Sequence, residues 1–137
     1  MTQSLSMVAV VVLTALAPAN ADLLGHGGMI RSVDFSVDGQ RVVTASFDYS
    51  AIIWDFEDQR KVTVLEGHEG PVTNARFLPD GRVFTTGDDM VGIVWRTDGE
   101  EPKIDHRLVG HRHKIMAASV FDNGRLLVTG SWDKTVR

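Results

Sequence analysis

Three Gly-His pairs, Gly25-His26, Gly67-His68 and Gly110-His111, divide the chain at intervals of 42 and 43 residues, and the segments between them align almost without gaps. Self-similarity at such a period is the mark of a repeat architecture, in which each unit buries its apolar faces only against its neighbours. Counting forward from each histidine, an aromatic or β-branched residue recurs at the ninth position, as Phe35, Phe77 and Val120. A turn follows each of them, Val37-Asp38-Gly39, Pro79-Asp80-Gly81 and Asp122-Asn123-Gly124. A threonine then precedes an aspartate by four residues, as Thr44 and Asp48, Thr85 and Asp89, Thr129 and Asp133. Six residues beyond the aspartate stands a tryptophan, Trp54 and Trp95, and in the third repeat that position falls two residues past Arg137.

Each complete unit reads as four short strands. Arg31-Ser32-Val33-Asp34-Phe35 and Thr73-Asn74-Ala75-Arg76-Phe77 alternate with the period of a half-buried strand, and the Asp-Gly or Asn-Gly step after each supplies the positive φ of a tight hairpin. Arg41-Val42-Val43-Thr44-Ala45 and Ala51-Ile52-Ile53-Trp54 are apolar and β-branched, as strands covered on both faces should be. After Asp22 no stretch carries a helical period. The predicted fold class is all-β.

A four-stranded unit of this length, with Gly-His near its start and Trp-Asp near its end, resembles a blade of the WD40-repeat (WD-repeat) β-propeller family. The resemblance covers Gly25 to Arg137, everything but the N-terminal leader, in repeats of about 25–66, 67–109 and an incomplete 110–137. It implies a propeller of three four-stranded blades, the last cut short. It also implies a hydrogen-bonded tetrad in each blade: His26, Thr44, Asp48 and Trp54; His68, Thr85, Asp89 and Trp95; and His111, Thr129 and Asp133, without a tryptophan within the chain. Trp95 is followed by Arg96 rather than Asp, a small departure if the tetrad uses the indole alone. The tetrad makes physical sense by itself, because a buried turn carboxylate needs donors and an imidazole N–H supplies one. Repetition of the same His and Asp points to a structural role, since a catalytic or metal site is not normally copied into every repeat.

Propellers close their rings with four to eight blades. Three repeats in 137 residues are fewer than that, so the expectation is a piece of a larger ring whose further blades come from a longer chain. Alone, the trio would expose two apolar flanks and unpaired edges.

The formal charge of −4 is carried from Asp22 onward, because residues 1–21 contain no charged side chain. Lys and Arg are scattered, and the small groups at Arg60-Lys61 and at Arg107, Arg112 and Lys114 lack the aromatic interleaving of a base-stacking surface, which speaks against a nucleic-acid partner. Met7 to Ala17 is almost wholly apolar, and Pro18 with Ala19-Asn20-Ala21 then makes a small-x-small pattern just before Asp22. Residues 1–21 therefore read as a signal peptide, although its first six residues lack the usual Lys or Arg; the alternative is that Val8 to Leu13 forms a propeller strand. The apolar stretch is too short for a stable membrane span. The expected location is periplasmic or secreted, and cytoplasmic if the leader is not cleaved. Cysteine is absent, which excludes disulfides, thiolate metal sites, a Cys nucleophile and covalent haem attachment within the chain.

Other candidate sites are weaker. His111-Arg112-His113 with His106 could suggest a metal, but His111 belongs to the tetrad set and no acidic residue stands beside it at ligand spacing. Asp88-Asp89 could suggest an acid–base pair, yet Asp89 is the turn residue and Asp88 precedes it in an expected exposed loop. No phosphate loop, nucleophile elbow or cofactor motif is present.

More telling are positions that vary while the scaffold repeats. The residue before each turn aspartate is Phe47, Asp88 or Trp132, and the residue three after each Gly-His histidine is Met29, Pro71 or Lys114. The resemblance places these on the rim around the channel, where exposed aromatics make good anchors for a protein partner. The alternative is that they pack between blades. The functional expectation is a non-enzymatic, exported scaffold for protein–protein interaction. The alternative is the propeller part of a periplasmic c-type cytochrome whose haem domain lies beyond this chain.

Overall fold

The computed structural model describes residues 22–137; the proposed leader lies outside them. Three antiparallel sheets follow one another along the chain. The first is β1 (Ile30–Phe35), β2 (Arg41–Ser46), β3 (Ser50–Asp55) and β4 (Arg60–Glu66), paired in sequence order. The second repeats it with β5 (Val72–Phe77), β6 (Val83–Gly87), β7 (Gly92–Arg96) and β8 (Lys103–Leu108). The third has two strands among the described residues, β9 (Ile115–Phe121) and β10 (Leu126–Ser131). The chain is an all-β stack of propeller-type blades.

Local chemistry explains the meander. The hairpins joining the first two strands of each complete blade close with Gly39 N–H bonded to Ser36 O and Gly81 N–H to Leu78 O, both at 2.9 Å. Both glycines lie at positive φ, 70° and 87°, where a side chain would be strained. The third hairpin closes differently: Asp122–Gly124 forms one turn of 3-10 helix, with Asp122, Asn123 and Gly124 all at positive φ. The observed strands start or end about a residue beyond the sequence runs, at Ile30, Val72, Ser46, Ser50 and Asp55.

The two middle strands of each complete blade are buried on both faces, as their apolar runs require. Val43, Ala45, Ala51, Ile53 and Leu65 of the first blade pack against Val72, Ala75, Phe77, Val83, Ile93 and Trp95 of the second. Leu78, Phe84 and Val94 on the other face of the second blade meet Ala118, Val120 and Leu127 of the third. Alternation along each strand therefore sends one set of side chains backward and the other forward, and burial of both sets ties the blades together.

Polar contacts register the innermost strands. Ser32 Oγ and Asp34 Oδ2 on β1 accept from Ala75 N–H and Phe77 N–H on β5, each at 2.9 Å. Thr73 Oγ1 on β5 donates to Ile115 O on β9 at 2.6 Å. Backbone groups on the inner edge of a blade, which no strand pairs, are thus satisfied by neighbouring side chains.

Among the described residues both outer flanks are apolar and uncovered. Ile30, Val33 and Phe35 on β1 are 49, 56 and 51% exposed, while their register equivalents Val72, Ala75 and Phe77 on β5 are 0, 0 and 6% exposed. Phe121, Leu126 and Val128 are likewise exposed on the opposite flank.

Candidate functional site

The turn aspartates organise one end of every blade. Asp48, Asp89 and Asp133 each open a tight turn whose next residue, Tyr49, Met90 or Lys134, sits at φ of 72°, 67° or 69°. Non-glycine residues pay for that conformation with strain. The carboxylate offsets it: Oδ1 accepts from the N–H two residues on, Ser50 at 3.0 Å, Val91 at 3.2 Å and Thr135 at 2.9 Å.

The other carboxylate oxygen reaches the histidine. His26, His68 and His111 bring Nδ1 to 2.8 Å from Oδ2 of Asp48, Asp89 and Asp133. The same oxygen accepts a main-chain N–H from the residue after each histidine, Gly27, Glu69 or Arg112. On the far side of the ring, Nε2 lies 2.7, 2.8 and 2.9 Å from Oγ1 of Thr44, Thr85 and Thr129. Trp54 and Trp95 then donate their indole N–H to Thr44 and Thr85 at 2.8 and 2.7 Å.

Donor and acceptor roles follow from chemistry. The ionised aspartate only accepts, so Nδ1 of the neutral imidazole carries the proton. Nε2 is then bare, the threonine hydroxyl donates to it, and the hydroxyl oxygen is left to accept the indole N–H.

The carboxyls respond to this cage. Burial raises the pKa of Asp89, but the hydrogen bond from His68, with those from the N–H groups of Glu69 and Val91, outweighs it and holds the group below the usual carboxylate range. At Asp48 burial is again opposed, by Ser50, His26 and Gly27, and the net shift is strongly downward. At Asp133 the Thr135 hydroxyl is the largest influence, and the shift is also strongly downward.

Thr, His and Asp in this order match a nucleophile, base and orienting acid, but the surroundings do not suit catalysis. Thr85 is fully buried and Thr44 5% exposed, and an indole caps each hydroxyl where a substrate would have to approach. Among the described residues no group of His, Cys, Asp or Glu is disposed to hold a metal ion.

The variable residues gather at the same end of the blades. Phe47 N–H bonds Met29 O at 3.0 Å, Asp88 N–H bonds Pro71 O at 2.9 Å, and Trp132 N–H bonds Lys114 O at 3.1 Å. Each turn residue is therefore paired through the main chain with the variable residue that follows the histidine of its own blade. Phe47 and Trp132 are 38 and 58% exposed, so both rings lie at the surface rather than inside the blade interfaces. Met29 is exposed and Pro71 half-buried.

One contact among them crosses between blades. Lys114 Nζ sits 4.7 Å from the centre of the Trp132 ring and 3.2 Å from Asp88 Oδ2 on the second blade. Asp88 is thus half-buried and paired, not a free residue of an exposed loop. His113, one of the discounted metal candidates, stacks at a tilt against Trp132, 5.6 Å between ring centres. In the first blade the Arg31 guanidinium lies 5.5 Å from the centre of the Phe47 ring.

The sequence reading did not identify Arg31 or the Lys114–Asp88 bridge. Arg31 falls at the irregularity between Ile30 and Ser32, where the β1–β2 register shifts, so simple alternation along the sequence does not reveal its place beside Phe47. Lys114 and Asp88 lie in different repeats, so no local pattern could join them. At the opposite end of the second blade Arg82 and Arg96 both bind Asp105, at 2.9 and 2.8 Å, a cluster in which charge is matched by charge.

Comparison with known proteins agrees with the architecture. The family model described as "WD domain, G-beta repeat" matches residues 19–55, 59–96 and 102–137. The chain is similar to WD repeat-containing protein 37 of Mus musculus, with 36% identity over 118 residues, covering 84% of this chain and 23% of that protein. It is also similar to WD repeat-containing protein 55 of Pongo abelii, with 36% identity over 109 residues, 79% of this chain and 28% of that protein. Guanine nucleotide-binding protein subunit beta of Arabidopsis thaliana is 31% identical over 121 residues, 82% of this chain and 32% of that protein. The chain thus spans about a quarter to a third of the length of these relatives. Three family-model matches on three blades with one shared hydrogen-bond pattern lead to one conclusion: this chain belongs to the WD40 repeat family.

Proposed function

We propose that the chain is a non-enzymatic protein-interaction scaffold whose partner docks on the rim formed by Met29, Phe47, Pro71, Asp88, Lys114 and Trp132. WD40 repeats generally serve as protein-interaction scaffolds, and the three relatives named above are WD repeat or G-protein β proteins. The observation that carries the reading is the pairing of every turn residue with a variable neighbour on the same end of the blades, with two aromatic rings left at the surface. Such rings bring large contact area with few rotatable bonds to freeze. Lys114, held between Trp132 and Asp88, is already ordered before a partner arrives, which lowers the entropic cost of binding.

The test is site-specific photo-crosslinking. A crosslinker at Met29 should capture a discrete protein, and one at Asp98, in the Arg96–Asp98 loop at the opposite end, should not. Phe47→Ala and Trp132→Ala should each weaken the captured partner by about 2 kcal/mol or more while leaving the melting transition in place. Stability lost with no separate loss of affinity would rule out the rim.

Export is the second part of the reading, supported by the apolar run from Met7 to Ala17 and the Ala19-Asn20-Ala21 step.

A further inference from the structure

The rim is not uniform in charge. The positions that vary from blade to blade there include the residue after the Gly-His histidine, the residue three after it, and the residues on either side of the turn aspartate. In the first blade these are Gly27, Met29, Phe47 and Tyr49, all uncharged. In the second they are Glu69, Pro71, Asp88 and Met90, and in the third Arg112, Lys114, Trp132 and Lys134. A chain of net charge −4 thus gathers cations around a single turn.

The carboxylates nearest those cations are already engaged. Asp133 Oδ2 accepts from His111 Nδ1–H and Arg112 N–H, and its Oδ1 accepts from the N–H and hydroxyl of Thr135. Asp88 is taken by Lys114 Nζ at 3.2 Å. Glu69 stands exposed on the second blade.

Arg112 and Lys134 are left without a carboxylate. Both are exposed, and among the described residues neither side chain makes a hydrogen bond or ion pair. The fold nevertheless brings them together. Arg112 N–H sits 2.9 Å from Asp133 Oδ2, and Lys134 is the next residue along, at φ 69°. Trp132 stands on the other side of Asp133, 58% exposed, with Lys114 Nζ 4.7 Å from its ring centre. At the opposite end of the blades Arg82 and Arg96 are matched by Asp80 and Asp105, so the uncompensated charge belongs to the rim.

We infer that the partner's docking segment is an acidic peptide, which sets carboxylates against Arg112, Lys134 and Lys114 and an apolar side chain on the Trp132 ring. The inference rests on the rim reading and names the chemistry of the partner that the rim selects. Guanidinium and ammonium groups hold carboxylates by charge-assisted hydrogen bonds, and complementary charge speeds encounter while rejecting basic competitors. Acidic residues would lie over the third blade, away from Glu69 on the second. Each exposed ion pair is worth a factor of about 1.4 to 5, so the cluster together carries about 10-fold in affinity.

The probes are capped peptides of one length: Asp-Glu-Leu-Glu-Asp, its amide counterpart Asn-Gln-Leu-Gln-Asn, and the basic Lys-Lys-Leu-Lys-Lys. Each is titrated into the full chain, with the Trp132 indole N–H followed by NMR against the buried Trp54 and Trp95. The acidic peptide should shift Trp132, leave the other two indoles in place, and bind about 10-fold more tightly than the amide peptide at low salt. In about 1 M salt, where screening acts within about 3 Å, most of that advantage should vanish. Arg112→Glu with Lys134→Glu should reverse the order and favour the basic peptide, with the melting transition unchanged because neither side chain bonds to the fold. Equal binding of the acidic and amide peptides at Trp132 would overturn the inference and leave the rim reading standing. No binding of the acidic peptide at about 5 mM, or shifts confined to the Arg41 and Arg96 end, would overturn it as well. The rim reading itself falls separately, if the crosslinker at Met29 captures nothing.

Discussion

Asp89 shows how much one residue organises. Its carboxylate accepts from His68 Nδ1–H, Glu69 N–H and Val91 N–H, and Asp89→Ala would strand all three donors. The expected loss is about 1–3 kcal/mol at neutral pH, read from urea midpoints. The pH dependence follows from the downward shifts at Asp89, Asp48, Asp80 and Asp133. An ordinary carboxyl titrates near about 3.9, so as pH falls the unfolded chain takes up protons first. Stability should be full above about pH 5 and fall as pH drops through 4 towards the folded-state values. The gap between wild type and Asp89→Ala should narrow by pH 3, because acid removes the same interaction. Equal midpoints at neutral pH would mean that the cage contributes nothing.

At the scale of the strand, the same position can be core or surface. Phe77 on β5 is 6% exposed and packed against the first blade, whereas Phe35, its counterpart on β1, is 51% exposed and touches Phe56 edge to face at 5.3 Å. Phe77→Ala should cost about 3–5 kcal/mol, the range for an aromatic removed from a packed core. Phe35→Ala should cost about 1 kcal/mol, the worth of one aromatic pair at a surface. Thermal melts of the two variants decide it, and equal losses would show that something in solution covers the β1 flank. β1 also explains an asymmetry invisible in any single repeat. Ser32 and Asp34 cap N–H groups of β5, while the equivalent Asn74 and Arg76 make no such bonds to β9, where Thr73 forms the link instead.

For the molecule as a whole, the expectation is an exported protein that begins at Asp22. N-terminal sequencing of protein recovered from the periplasm or medium should read Asp-Leu-Leu-Gly, and an intact Met1 there would end the export reading. Among the described residues no helix is long and apolar enough to cross a membrane.

What the amino-acid order determined by itself was everything that recurs locally: strand after strand, the hairpins at Gly39 and Gly81, and the all-β class. These depend on alternation and turn chemistry within a few residues, and three copies made the pattern legible. The spacing of His68, Thr85, Asp89 and Trp95 was equally visible, but which atom meets which required the fold, because the histidine and the aspartate are 21 residues apart and on different elements. The tertiary structure alone decided the contacts between repeats: Lys114 with Asp88, Ser32 and Asp34 with β5, and Thr73 with β9. No period in the sequence encodes such contacts, since they arise where two non-identical faces are pressed together by the burial of the apolar side chains between them.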